Sequence, residues 1–162
     1  MHTPSLSTDY FQGWKGFCLA AVMPLALSAS PLAAARDLIG PPVSMENTTM
    51  WMTVGQRRFA VALEDNPTTR ELVARLPLRL DMIELHNNEK YATLEQPLPT
   101  QDHRPGTIHT GDLLLYGADT LVVFYKTFTS SYSYSRLGQI DNSSGLAKAL
   151  GSKDVRVTFS ID

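Results

Sequence analysis

The stretch that decides the fold is Gly111–Gly138, GDLLLYGADTLVVFYKTFTSSYSYSRLG. Two runs of apolar and β-branched residues, Leu113–Tyr116 and Leu121–Thr127, flank the turn sequence Gly117-Ala118-Asp119, a pattern that predicts a β-hairpin. Serine and tyrosine then alternate with a period of two, which predicts a third strand over Ser131–Leu137. The stretch therefore indicates an antiparallel β fold.

The sequence on either side continues this pattern. Short alternating or β-branched runs, separated by turn residues, predict strands at Met50–Val54, Arg58–Leu63, Leu78–Leu85, Lys90–Leu94 and Val155–Ile161. The Asn87-Asn88 turn joins the third and fourth of these runs into a second hairpin. About eight antiparallel strands indicate a mainly β fold with the pattern of a β-barrel.

Two short helices are predicted between the strands. The first begins at Asp65-Asn66-Pro67, where Thr68 and Glu71 offer a capping box, and it ends before Pro77. The second runs from Leu146 to Leu150 and is closed by Gly151, a residue type suited to positive φ. Both are short enough to act as caps on a barrel.

Residues 1–35 have the features of a signal peptide. Lys15 precedes the apolar run Gly16–Leu27, and Ala33-Ala34-Ala35 resembles a cleavage site. Cleavage after Ala35 predicts a periplasmic or secreted protein without Cys18, the one cysteine of the chain, and hence without a disulfide. An over-extended start or an apolar helix packed on the domain would explain the same segment. Residues 36–49 are predicted to be a flexible linker, and residues 50–162 one domain.

Composition narrows the classes of function. The 162 residues carry a formal charge of −2, and their lysines and arginines form no basic cluster, so no nucleic-acid partner is expected. No apolar run reaches the roughly 18 residues of a membrane-spanning helix, so no stable membrane insertion is expected after signal cleavage. We expect a monomer.

Patterns for catalysis are missing from the sequence. The histidines lack metal-ligand spacing, and there is neither a G-x-S-x-G elbow nor a phosphate-binding glycine loop, so we expect no metal, cofactor or catalytic residue. Glu84 and Glu89 bracket the Asn87-Asn88 turn and could form an acid–base pair, but solvated charges at a turn are the favoured interpretation.

The alternating strip allows three interpretations. On a regular strand, Tyr132, Tyr134 and Arg136 would share one face. The tyrosines could fill the barrel, they could line a groove in which a peptide or flat ligand stacks while Arg136 binds a carbonyl or carboxylate, or Arg136 could cover a tyrosine ring. The pattern leaves all three open.

Several segments together resemble a bacterial family of small cyclophilin-like domains, whose members are mostly of unknown function. The resemblance extends from about Phe59 to Phe159 and includes Asp65-Asn66-Pro67-Thr68, Asn88-Glu89-Lys90-Tyr91-Ala92, Gly111-Asp112-Leu113-Leu114-Leu115-Tyr116 and Ser130–Gly138. It implies a closed or nearly closed eight-stranded antiparallel barrel capped by two helices. The strand and helix count reached above agrees with it.

True cyclophilins isomerise X–Pro bonds with an arginine that binds the peptide as its amide twists. Their motif also holds a nearby phenylalanine and glutamine among glycines. Arg58-Phe59 is the closest pair here but lacks the glutamine and glycines, and neither Arg79 nor Arg136 matches the motif. No catalytic role is therefore transferred to these arginines.

These features predict an exported, non-catalytic barrel that binds an unidentified small molecule or an extended peptide. The alternative is a divergent peptidyl-prolyl cis-trans isomerase. The candidate binding residues are Tyr125, Tyr132, Tyr134 and Arg136, with Glu89, Tyr91 and Tyr116 as weaker candidates.

Overall fold

The computed structural model describes residues 48–162, and the predicted signal peptide and nearly all of the predicted linker lie outside them. Within that range the chain forms ten β-strands and two short helices. The strands are β1 (Met50–Val54), β2 (Arg57–Leu63), β3 (Leu78–Leu85), β4 (Glu89–Thr93), β5 (Gly106–Ile108), β6 (Asp112–Tyr116), β7 (Thr120–Phe124), β8 (Phe128–Ser130), β9 (Ser135–Ile140) and β10 (Val155–Ile161). The helices are α1 (Pro67–Ala74) and α2 (Leu146–Leu150). No helix of the described range is long and apolar enough to cross a membrane.

Eight of the strands close into an antiparallel barrel in the order β1-β10-β3-β4-β7-β6-β9-β2. This confirms the predicted barrel, its strand number and its two short helices. The remaining strands, β5 and β8, pair with each other as a separate two-stranded ribbon that the sequence analysis did not predict.

The β3–β4 hairpin turns one residue earlier than predicted. His86 and Asn87 have φ values of 52° and 56°, the left-handed conformation of the two central residues of a type I′ turn, and Asn88 completes a three-residue connection. Glu89 then pairs with Leu85, and Asn88 closes the turn with a backbone hydrogen bond of 3.2 Å to the Leu85 carbonyl.

Helix α1 begins where predicted but is capped differently. Asn66 is the cap, because its side-chain oxygen accepts a hydrogen bond of 2.9 Å from the Thr69 amide. The predicted capping box is wrong, since Thr68 is buried and Glu71 instead binds Arg75, one helical turn later. Helix α2 matches its prediction.

The strand predicted over Ser131–Leu137 is displaced. Barrel strand β9 starts only at Ser135, and residues 131–134 connect it to β8, with Tyr134 making one isolated bridge to His103. A bulge follows, since Leu113 lies opposite Gly138 while Leu114 lies opposite Arg136, which leaves Leu137 as the extra residue. The regular strand predicted to carry Tyr132, Tyr134 and Arg136 therefore includes only Arg136 of the three, while Tyr134 and Leu114, the residue opposite Arg136, share the second, outward-facing hydrophobic cluster.

Strands β6 and β7 are buried on both faces. Their inward side chains join the main core inside the barrel, the inner core, which includes Leu113, Leu115, Leu121 and Val123. Their outward side chains form a second cluster, the outer cluster, which consists of Ile108, Leu114, Val122, Phe124 and Tyr134. The apolar runs of β6 and β7 are continuous because both faces of these strands are buried.

Candidate functional site

An open groove of about 510 Å³ lies beside the outer cluster, on the outside of the barrel. The β3–β4 hairpin, the outward faces of β6 and β7, and the β8–β9 connection provide its walls. Its volume falls in the range of small-molecule sites, roughly 300–1,000 Å³. The lining residues are Leu85, His86, Asn88, Glu89, Tyr91, Tyr116, Thr120, Val122, Phe128, Thr129, Ser130, Ser131, Tyr132 and Tyr134.

Three tyrosine rings meet at one side of the groove. Tyr116 packs edge-on against Tyr132 with ring centroids 5.9 Å apart, and against Tyr134 at 5.7 Å. Tyr134 is 5% exposed and also stands perpendicular to Phe124, whereas Tyr116 is 47% and Tyr132 is 61% exposed. Tyr134 therefore belongs to the outer cluster, whereas the rings of Tyr116 and Tyr132 face solvent.

Glu89 brings a carboxylate into this aromatic groove. Its side chain is half-buried and has no hydrogen bond or ion pair with any residue of the 48–162 range. Burial raises the pKa of Glu89 above the ordinary glutamate value; His86 opposes this rise and the Glu84 charge adds to it. The groove thus contains an acceptor with no partner in the described chain.

Asn88 adds a second acceptor to the same wall. Its side-chain oxygen is buried and has no hydrogen-bond partner among the described residues. A buried amide oxygen without a donor costs free energy, of the order of 1–3 kcal/mol. This oxygen is enclosed within the wall and is not exposed in the groove.

Tyr125 lies in the inner core and does not line the groove. Its hydroxyl donates to the Glu84 carboxylate, with the shorter O–O distance 2.8 Å. Burial raises the pKa of Tyr125 well above the ordinary value, and the Glu84 acceptor adds to the rise. Tyr125 is thus 6% exposed and already paired, and it is not available to a ligand in the groove.

Glu84 also accepts hydrogen bonds from the fully buried Lys90 ammonium and from the Asn87 amide, the latter at 2.8 Å. Burial alone would raise the pKa of Glu84, but the hydrogen bonds from Lys90, Tyr125 and Asn87 outweigh it, so the net direction is down. The prediction that Glu84 is a solvated charge is wrong, because its side chain is only 16% exposed and fully paired.

This inner network supports the groove wall. The Asn87 amide is held by Glu84, and the Tyr125 amide donates to the Asn88 carbonyl at 2.9 Å. The Lys90 ammonium donates to the Lys153 carbonyl at 2.8 Å, which ties β4 to the segment before β10. The turn that carries Asn88 and Glu89 is therefore fixed from inside the barrel.

Arg136 lies away from the groove. Its guanidinium pairs with Glu64 at 2.6 Å, and its carbonyl accepts a hydrogen bond from the Asn66 side chain. Arg136 thus joins β9 to the start of α1 and takes no part in the tyrosine cluster.

Of the seven candidate residues, the structure brings five together around the groove and places Tyr125 and Arg136 elsewhere. The five are Glu89, Tyr91, Tyr116, Tyr132 and Tyr134. Sequence reasoning missed Phe128 and Asn88. Phe128 belongs to the unpredicted ribbon, whereas Asn88 stood in a predicted hairpin turn beside Glu89 and could have been found there.

A group of metal ligands and a groove-lining arginine are both missing from the described residues. The 48–162 range contains no group of three histidine, cysteine or acidic side chains that could hold a metal ion. No arginine lines the groove in that range, and Arg58 instead lies over the Trp51 ring at 4.2 Å and pairs with Asp162. The groove therefore offers aromatic faces and acceptors.

Comparison with known proteins agrees with this architecture. Residues 52–160 match the family described as the cyclophilin-like family. The solution structure of a hypothetical protein from Archaeoglobus fulgidus is similar at 16% sequence identity and a TM-score of 0.50, covering 71% of this chain and 95% of the other. A comparison with curated proteins gives no match.

Proposed function

The chain belongs to the cyclophilin-like family, and from this premise we propose that it is a non-catalytic binding module. The groove on the outside of the barrel holds a small ligand or an extended peptide, and Tyr116 and Tyr132 provide its stacking surface, with the buried Tyr134 packed against Tyr116. The observation that carries the proposal is the cluster of tyrosine rings around a preformed groove, two of them exposed.

The exposure of Tyr116 and Tyr132 supports binding rather than core packing. Tyrosine is an amphipathic residue that is enriched in interfaces, because its ring is apolar while its hydroxyl remains hydrated. Two such rings facing solvent in one concave site add little to folding but offer a ligand a flat apolar surface.

The composition of the groove favours binding over isomerisation. An isomerase of the cyclophilin type needs a donor that contacts the peptide as its amide twists, and no arginine lines the groove in the described range. NMR exchange measurements on X–Pro peptides would reveal an isomerase, and under this proposal the rate stays at its uncatalysed value.

A titration with acetylated tripeptides, Ac-Ala-Xaa-Ala-amide with Xaa varied over all twenty residues, tests the binding function. Backbone amide shifts in two-dimensional NMR should change around Tyr132, Tyr134 and Glu89. Tyr132→Ala should abolish these changes, whereas Arg136→Ala, the matched control outside the groove, should retain them. Changes confined to other surfaces, or none for any peptide, would contradict the proposal.

Export and a monomeric state complete the proposal. The apolar run before Ala35 supports a cleaved signal and a periplasmic or secreted location. Expression of the full chain in a bacterial host, followed by intact-mass measurement, should yield a protein beginning at Arg36 outside the cytoplasm. An uncleaved cytoplasmic product would contradict export, and sedimentation at twice the mass of one chain would contradict the monomer.

A further inference from the structure

The groove contains the Glu89 carboxylate, which forms no ion pair with a lysine or arginine of the described range. Its ionisable acidic and basic lining residues are His86 and Glu89, and no lysine or arginine lines it within residues 48–162. The Glu89 carboxylate is half-buried without a partner, and a desolvated charge is costly when unpaired. A positively charged group is the electrostatic complement of this site.

The aromatic rings favour the same ligand class. A cation within about 6 Å of a tyrosine ring face is attracted by the negative face of the ring. Tyr116 and Tyr132 line the groove and are 47% and 61% exposed, so their rings are open to a cation in the groove.

The polar atoms of the wall favour a cation with N–H groups. The Glu89 carboxylate is an acceptor without a donor in the described range. A primary ammonium carries three donors, whereas a quaternary ammonium carries none.

The inner core already contains an ammonium in such surroundings. The Lys90 ammonium contacts the Glu84 carboxylate, donates to the Lys153 carbonyl oxygen and lies 5.5 Å from the centroid of the Tyr125 ring. The groove offers two of these groups, a carboxylate and tyrosine rings, without a lysine.

We infer that the groove recognises a primary ammonium group, R–NH3+, placed between the Glu89 carboxylate and the exposed rings of Tyr116 and Tyr132. This inference rests on the proposed binding function and specifies its ligand class. The ammonium belongs to a small amine or to the side chain of a lysine in a peptide.

Three probes of matched size test the inference by NMR titration: pentylammonium, its neutral isostere 1-pentanol, and pentyltrimethylammonium, which keeps the charge but has no N–H donor. Pentylammonium should bind about tenfold more tightly than either of the others, as expected for a hydrogen bond to a charged group. Glu89→Gln should remove that preference while leaving 1-pentanol binding unchanged. Glu95→Gln, which alters an exposed carboxylate outside the groove, should change nothing.

The outcomes separate this inference from the proposed function. Equal binding of 1-pentanol at the groove, or equal binding of pentyltrimethylammonium, overturns the ammonium assignment and leaves the groove as a binding site. Failure of all three probes, together with failure of the tripeptide series, overturns both.

A fourth probe identifies the source of the ammonium. Ac-Gly-Lys-Gly-amide should bind more tightly than pentylammonium when the ligand is a lysine side chain, and less tightly when it is a small amine. Equal binding of the same peptide with an Nε-acetylated lysine overturns the inference, because acetylation removes the charge.

Discussion

Two glutamates on one hairpin show how the inside of the barrel differs from the groove outside it. Glu84 lies toward the inner core and accepts hydrogen bonds from Lys90, Tyr125 and the Asn87 amide. Glu89 lies five residues further along and has no side-chain partner in the described chain. The pKa of Glu84 is lowered and that of Glu89 is raised. Pairing, rather than residue type, therefore separates a structural site from a candidate binding site.

The largest effect on stability is expected from breaking the ion pair between Lys90 and Glu84. Lys90→Ala leaves the Glu84 carboxylate buried without its counter-charge, which should lower the free energy of unfolding by about 3–5 kcal/mol. Urea denaturation measures this loss. Lys126→Ala, which alters an exposed lysine, should change stability by less than about 0.5 kcal/mol. Similar losses for the two variants would mean that Lys90 contributes no more than a surface charge.

A smaller effect is expected from the hydroxyl of Tyr125. Tyr125→Phe removes its donation to Glu84 and should cost about 1–3 kcal/mol, because that bond is made to a charged acceptor. Tyr132→Phe removes a hydroxyl from an exposed ring of the groove and should leave the unfolding midpoint almost unchanged. Equal losses of unfolding free energy in the two variants would mean that the Tyr125 hydroxyl contributes no more to stability than the exposed hydroxyl of Tyr132.

The pH dependence of stability should have opposite signs for the two glutamates. Because folding lowers the pKa of Glu84, its contribution is present above about pH 4.5 and is lost as the pH falls further. Because folding raises the pKa of Glu89, its ionised form costs stability as the pH rises above about 4.5. His86 and Glu84 are the charged groups that act on Glu89.

Denaturation of two variants between pH 3 and pH 7 measures these signs. Glu89→Gln should be slightly more stable than the parent protein at pH 7 and equal to it in acid. Glu84→Gln should be less stable at pH 7, with the difference shrinking as the pH falls. A loss of stability at pH 7 in Glu89→Gln would show that its carboxylate has a partner in the folded protein.

The smallest effect on stability is expected at Tyr132, because most of its ring is already exposed. Tyr132→Ala should shift the unfolding free energy by no more than about 0.5 kcal/mol while abolishing binding at the groove. Differential scanning fluorimetry without ligand, beside the tripeptide titration, separates the two effects. A large loss of stability would show that Tyr132 belongs to the core.

The barrel could be predicted from the sequence because its signals are local. Turn residues separate the strands, Asn66-Pro67 starts α1, and Gly151 closes α2, so each element follows from a few neighbouring residues. The β5–β8 ribbon could not be found in this way. Its strands have only three residues each and are defined by pairing between positions some twenty residues apart.

The candidate site was predictable in part. Tyrosine content indicated an aromatic surface, but a period of two could not reveal that β9 begins only at Ser135 or that Arg136 pairs with Glu64. It also could not reveal that Tyr125 reaches Glu84, a contact that depends on the packing of β7 beside β4. Which side chains become paired inside the barrel is set by such distant contacts.

The central claim is that ligands bind in the groove and not in the barrel interior. Intermolecular nuclear Overhauser effects between the methylene protons of pentylammonium and the protein test it most directly. Binding in the groove predicts contacts with the ring protons of Tyr116 and Tyr132 and none with those of Tyr125. Contacts with Tyr125 or with inner-core side chains such as Leu121, in the absence of contacts with Tyr132, would contradict it.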